Sequence, residues 1–498
     1  MAGQPSNKTV LAIKKESTEG TPVVVAAASD FVAIQPDFTM TPDTAVLENA
    51  ELTGSIGKAK SILGAENPTA SGSFYLRHSG VEGTAPNYSE ILESMFGQMD
   101  TNATEYDTVS SSTTSLIKVN TGEGAFFGRG HALLIKDPTN GYSIRNVLSV
   151  SGDDLTLGQN VAVAPGSGVN LGKAIKLSPV NVNHPSNTYW EYLANGAAIN
   201  MIAGGKTTQG TVNIAAGDLI NVNYSIAGSG FYWDPINVTS SNKYIDFNDG
   251  GVKAAVLTVK FYKSPHELAT AMQDAMNAVS SGFTVTYSDS TGKFTFVKAS
   301  GTFSLLWQSG TNTASSIGST IGFDVSANDT SALAYTADNA MSWAAPYTPS
   351  YDSAQPLVAK YNEAIFGDAT DITCFGAQSV TMAFSNDRQV IPDICQESGI
   401  AGSIFSARTV EFTIKALLTQ YEAKKFERYR LGTKTMFTYN AGNKSGGNWK
   451  AGECVNIYCP TGVITSLNVT DTNGLLTLEM KLQAYVEAGL GEIYMNFL

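Results

Sequence analysis

The sequence predicts a mainly β protein: a β-sandwich or barrel fold in two similar units, each with a flanking α-helix, plus a small all-β insert and a small α+β insert. Three observations carry this. Short apolar–polar alternations broken by Gly, Asn and Asp recur along most of the 498 residues. Charged residues make up only 15% of the chain, well under the usual share of about 25%, and Gly, Ser, Thr, Asn and Ala fill the difference. The 43% apolar content, with 22 Phe and 21 Tyr, excludes a disordered chain. At roughly 100–200 residues per domain, three or four compact units are expected.

The first unit is read as residues 1–103 and 184–234. It opens with a strand over 9–16. An extended region over 31–76 follows, interrupted by a polar stretch too long for a tight turn, which predicts a protruding loop. Asn87, with Glu90 three positions on, predicts a capped helix ended by Gly97 and bearing Ile91, Leu92, Met95 and Phe96 on its apolar face. Longer alternating strands return over 188–233, with Val212, Ile214, Val222, Tyr224 and Ile226 on alternate positions.

Residues 104–183 read as the all-β insert, a small barrel of strands of about five residues. Residues 235–345 read as the α+β insert. Its signature is Ser264-Pro265-His266-Glu267, a capping box with Pro at the first helical position. The helix bears Leu268, Ala271, Met272, Ala275 and Val279, and a hairpin follows. The second unit, 346–498, has a strand at 377–385, a long loop from Asn386 to about Ser406, and a returning strand with Val410, Phe412 and Ile414 on one face. Thr419 and Glu422 predict another capped helix with Tyr421, Phe426 and Tyr429, stopped by Gly432, and then five strands. The order loop, strand, capped helix, glycine thus occurs twice, an echo of element order that points to duplication.

No catalytic, cofactor or metal site is expected. His78, His131, His184 and His266 fall in no metal-ligand spacing. Cys374, Cys395, Cys454 and Cys459 form no disulfide framework, and the last two read as small core residues. The run Gly122–Gly130 lacks the Lys-Ser/Thr ending of a phosphate loop. Tyr189, Trp190 and Tyr192 with Phe231, Tyr232 and Trp233 read as packing rather than carbohydrate stacking. The net charge of −13 disfavours stable binding to phosphate backbones. Neither a leader peptide nor a membrane span is expected.

The stretches "ESTEGTPV", "LENAELTGSIGKAKSILGAENPTASGSFYLRHSGVEG" and "APNYSEILESMFG" resemble the N-terminal portion of tail tube proteins of long-tailed, non-contractile phages. The likeness is clearest over 10–100 and weaker over 350–498. Residues 250–330 resemble a small αβ domain shared by flagellar hook-associated and phage tail proteins. The resemblance implies a virion structural protein, made in the bacterial cytoplasm, that assembles into stacked rings around a conduit for DNA. The implied partners are further copies of the chain, a tape measure protein in the lumen, and tail terminator and tip proteins. DNA is expected only in transit, with no membrane and no cofactor. Two units per chain imply a trimeric ring with pseudo-six-fold symmetry, a hexamer being the alternative. The loops 43–68 and 386–408 are then expected to reach the adjacent ring through Glu48, Glu51, Lys58, Lys60, Glu66, Arg388, Glu397 and Arg408. An acidic lumen wall would repel passing DNA, and the inserts, absent from the minimal family pattern, would decorate the outside. The competing readings are an adhesin that binds a receptor or carbohydrate, and an enzyme such as a depolymerase, which needs a cleft with paired carboxylates.

Overall fold

The computed structural model describes residues 8–51, 59–194, 196–418, 423–472, 474–487 and 491–498. The fold is mainly β, with three α-helices among the described residues: α1 (Ser89–Phe96), α2 (Pro265–Val279) and α3 (Ala423–Leu431). The chain divides into two compact units. One comprises the residues up to Ala12, Tyr189–Ile202 and Gly230–Thr348. The other comprises Ile13–Thr188, Ala203–Ser229 and Pro349–Leu498.

The first unit is built on α2. Ser264 caps the helix as predicted: its hydroxyl accepts from the Glu267 amide at 3.2 Å, and Pro265 occupies the first turn. Leu268, Met272 and Met276 are buried against Phe247, Phe283 and Phe296 of two small antiparallel sheets. Val279, expected on that apolar face, is 43% exposed because it lies in the last turn. Tyr189, Trp190 and Tyr192 are buried, and the Trp190 ring lies tilted at 58° to that of Phe261, with 6.0 Å between ring centroids.

The larger unit is organised by an eight-stranded antiparallel sheet. Its strands, in chain order, are β1 (Thr39–Thr41), β2 (Thr69–Tyr75), β3 (Ala198–Ala215, from Ala203 on), β4 (Asn221–Ala227), β5 (Ala377–Pro392), β6 (Ile400–Leu417), β7 (Asn448–Thr472) and β8 (Leu475–Ala484). The order across the sheet is β1-β2-β4-β3-β5-β6-β8-β7. The first four strands form one block, and the last four repeat its order. The β3–β5 seam joins the blocks through seven residue pairs, from Gln209↔Ser385 to Ala215↔Ser379. Sheet pairing therefore crosses the expected boundary between residues 184–234 and 346–498.

A second sheet packs over the first, with the strand order 363–367, 435–445, β7, 494–497, 174–179, 97–102. β7 belongs to both sheets. Its early residues pair with 435–445 and 494–497, and its residues from Gly462 on pair with β8. Gly462 sits at the crossover, where an added Cβ would lie 2.7 Å from Leu482. Between the sheets lie α1 and apolar residues from alternate positions, among them Phe74, Val212, Met382, Phe412 and Met480.

Two expectations are corrected here. Residues 97–102 and 174–179 are strands of the second sheet, so the small all-β module ends before Ala174. That module is a six-stranded sheet over residues 106–171. A bridge from Thr108 to Val119 closes it between its two edge strands, consistent with a small barrel. The α1 cap also differs. Tyr88 holds the cap position without a side-chain bond, and the Asn87 amide donates to the Ser350 carbonyl at 2.9 Å instead. Gly97 ends α1 in the left-handed region, at φ 119°.

Buried asparagines hold the closed six-stranded module to the second sheet. Asn146 and Asn456 exchange amide hydrogen bonds at 2.7 and 3.0 Å. Asn456 also donates to Asn440 at 2.7 Å and accepts from Asn496 at 3.0 Å. All four are at most 2% exposed, so each lost partner leaves an unsatisfied buried amide. Asn456→Ala is expected to destabilise the protein by about 2–4 kcal/mol, read as a lowered calorimetric unfolding temperature.

Candidate assembly and conduit surface

Strand alternation divides the eight-stranded sheet into an apolar inner face and a polar outer one. In the first block the outer face is mostly uncharged: Gln209, Thr211, Asn213, Asn221, Asn223 and Ser225 point outward, and Asp37, whose carboxylate accepts from the Ser73 hydroxyl at 2.8 Å, lies against them. In the second block it carries two cross-strand ion pairs, Lys481–Glu411 at 3.1 Å and Lys415–Glu479 at 3.0 Å. Those four charges balance, and the exposed Asp37 and Asp387 add two carboxylates to this face.

Two hairpins project from this sheet. The first pairs Thr44–Leu47 with Ile62–Glu66. The second is the outer part of β5 and β6, which pair as far as Pro392↔Ile400 around a turn at 393–399. The expected loop 386–408 is thus mostly strand. Polar runs such as Asn386–Gln389 read as loop in the sequence, whereas backbone pairing holds them extended and bulges at Asp387/Arg388 and Ile391/Pro392 absorb the irregularity. The two hairpins touch: the Glu66 amide donates to the Ser398 carbonyl at 3.1 Å. Both expose large apolar side chains. Leu63 is 72% exposed and Ile394 is fully exposed, beside Val46, Leu47, Ile62 and Ile404.

The eight residues expected to make contacts between rings divide three ways. Glu48, Glu51, Lys60 and Glu397 are exposed on the hairpins, and Glu66 is half-buried at their contact. Lys58 lies outside the described residues. Arg388 and Arg408 are committed within the chain. Arg388 donates to the Asn67 side chain at 2.6 Å and to the Gly228 carbonyl at 2.8 Å. Arg408 pairs with the buried Glu492 and donates to the Val180 carbonyl at 2.8 Å. The apolar hairpin tips had a sequence signal in "AVL" (45–47) and "SIL" (61–63), which charge-centred reading passed over.

α1 lies beneath the β3–β5 seam. Phe96 meets Phe384 at 5.1 Å, the Ser94 hydroxyl accepts from the Thr207 amide at 3.1 Å, and the Asn386 amide donates to the Met95 carbonyl at 2.9 Å. Gly210 leaves room for Met95, whose sulfur an added Cβ would strike. Burial pushes the Glu90 carboxyl of α1 up to about 7. α3, which packs beside β7 in the second block, leaves Phe426 39% and Tyr429 43% exposed. Thr419, Tyr421 and Glu422, expected at its start, lie outside the described residues.

No group of three metal-ligating side chains occurs among the described residues. Cys454 and Cys459 are buried, and desolvation pushes both thiols up to about 12. His131 and His184 are buried, and desolvation lowers them to about 3 and about 4. No helix among the described residues is long and apolar enough to cross a membrane.

No protein-family model matches the chain, and no curated protein matches it. Among solved structures, the SPP1 tail tube, determined by solid-state NMR and cryo-electron microscopy, is similar at 12% identity. The alignment covers 28% of this chain and 77% of that one, with a TM-score of 0.21. At that score the likeness decides neither fold nor function, which rest on the geometry above.

Two outcomes are expected. Arg408→Met leaves Glu492 buried and unpaired and costs about 3 kcal/mol, lowering the unfolding temperature of unassembled protein, whereas Lys60→Ala leaves it unchanged. For Glu90, the folded value of about 7 lies above the ordinary 4.5, so the protonated form stabilises the fold at low pH and that contribution is lost as pH rises through 7. Glu90→Gln should therefore raise the unfolding temperature above pH 7, with the difference from wild type closing towards pH 4.5.

Proposed function

We propose that this protein is a structural subunit of a phage tail tube, assembling into stacked rings that form a conduit for DNA. One observation carries the reading: a single chain holds two four-strand blocks in one continuous sheet, with a polar outer face and an unpaired edge at each end among the described residues. Open edges are a liability unless something covers them, and closure into a ring removes them. Three copies would close a barrel with pseudo-six-fold symmetry. At about 4.8 Å between strands and a tilt of about 40°, its backbone diameter is roughly 48 Å, which leaves a lumen of roughly 35 Å inside the side chains.

The polar outer face suits the lumen. Hydroxyls, amides and paired charges offer passing DNA no excess of cations, so no counterions are released and nothing holds the phosphates. The apolar tips of the two hairpins suit contact with the next ring, where association would bury them. A tape measure protein in the lumen and terminator and tip proteins at the ends complete the proposed assembly, in the virion.

Negative-stain microscopy of purified, concentrated protein tests the reading. Rings or tubes with three chains per ring are expected, and Leu63→Asp with Ile394→Asp should abolish stacking while leaving the fold intact by circular dichroism. A protein that remains monomeric at every concentration would sink the proposal.

A further inference from the structure

We propose that copies of this chain join side by side by pairing β7 of one with β1 of the next, antiparallel, in the register already used at the β3–β5 seam. The inference rests on the ring-forming reading above and specifies its lateral joint.

The register follows from matching the two blocks. In the first block, cross-strand partners run Met40↔Ala70, Ala70↔Ile226 and Ile226↔Thr207. In the second, they run Met382↔Phe412, Phe412↔Leu482 and Leu482↔Ile464. Met40 therefore corresponds to Met382, and Thr207 to Ile464. These two rows are matched because each ends at a ladder irregularity of the same kind: β3 shifts register between Thr207 and Gln209, and β7 between Ile464 and Ser466. Beyond the matched bulges, Val212 corresponds to Val469. The seam pairs Val212 with Met382, Thr211 with Ala383 and Asn213 with Thr381. Transferred to the free edges, these become Val469 opposite Met40, Asn468 opposite Thr41, and Thr470 opposite Thr39.

Burial points the same way. Val212 and Met382 are fully buried at the internal seam. Their counterparts are not: Val469 is 43% exposed and Met40 is half-buried. The helices show the same contrast. α1 is covered beneath the seam, whereas α3, which packs against β7, exposes Phe426 and Tyr429. A second copy presenting β1 would cover both the edge and the helix. Pro42, which follows β1, has no amide to donate and ends the ladder there, so the joint between copies is shorter than the internal seam.

Disulfide trapping tests the register. Opposed residues of an antiparallel pair lie within disulfide reach. The background carries Cys374→Ser and Cys395→Ser, which remove the exposed thiols. Assembled particles of M40C/V469C should, on oxidation, give covalent multimers up to a closed ring on a non-reducing denaturing gel. M40C/L467C and M40C/D471C, shifted by two residues in either direction, should give at least ten-fold less. Stronger linking by a shifted pair, or none by any pair in rings that have formed, overturns the register and leaves the tube reading standing. If the cysteine variants do not assemble, a cryo-electron microscopy map of unmodified rings decides: residues 468–470 must lie against residues 39–41 of the neighbour. Absence of rings from the unmodified protein overturns both proposals.

Discussion

The β3–β5 seam is the constraint on which the rest of the larger unit depends. Seven residue pairs join strands that lie more than 150 residues apart in the chain, and they turn two four-strand blocks into one sheet. Because side chains alternate with a period of two, that ladder also fixes which residues of both blocks face the core. A slip of one residue would bring Thr211 and Ala383 inward and send Val212 and Met382 out. The bulges and the packing of α1 beneath the seam resist such a slip. Phe96 and Met95 fill the space under the joint, and Gly210 admits the Met95 sulfur that any larger residue would exclude.

Much of this architecture was legible in the sequence, and the failures have physical causes. α2 was readable because its cap, its proline and its apolar spacing agree with one another. The strands around Val212, Val222, Phe412 and Ile414 were readable because one face is buried and the other is polar. The strand at 97–102 was not, because it is a polar run directly following a helix, and the strand at 174–179 read as part of the small module because no break in composition separates the two. Which strands pair across long separations is not a local property, so the shared sheet stayed hidden although both of its blocks were visible. For the candidate contacts, side-chain charge was a poor guide. Arg388 and Arg408 fall in a stretch that reads as an exposed loop, yet the buried Gly228 carbonyl and the buried Glu492 hold them within the chain.

Little of the net charge of −13 lies on the polar face of the sheet, where Asp37 and Asp387 are the unpaired carboxylates among the described residues. That face achieves its polarity with hydroxyls and amides in one block and with matched ions in the other. Exposed pairs such as Lys481–Glu411 add little stability. Their effect is electrostatic balance: each lysine is neutralised by a carboxylate about 3 Å away, leaving a weak field.

Carrying both blocks in one polypeptide frees them to diverge. The closed six-stranded module and the α2 module are both spliced into connections that leave first-block strands, the former between β2 and β3 and the latter between β4 and β5. Among the described residues, the connections within the second block, from β5 through to β8, hold no comparable module. In an oligomer of a single-block ancestor, any such elaboration would recur at every position. Here each occurs once per pair of blocks, and neither interrupts a strand of the repeat that builds the sheet.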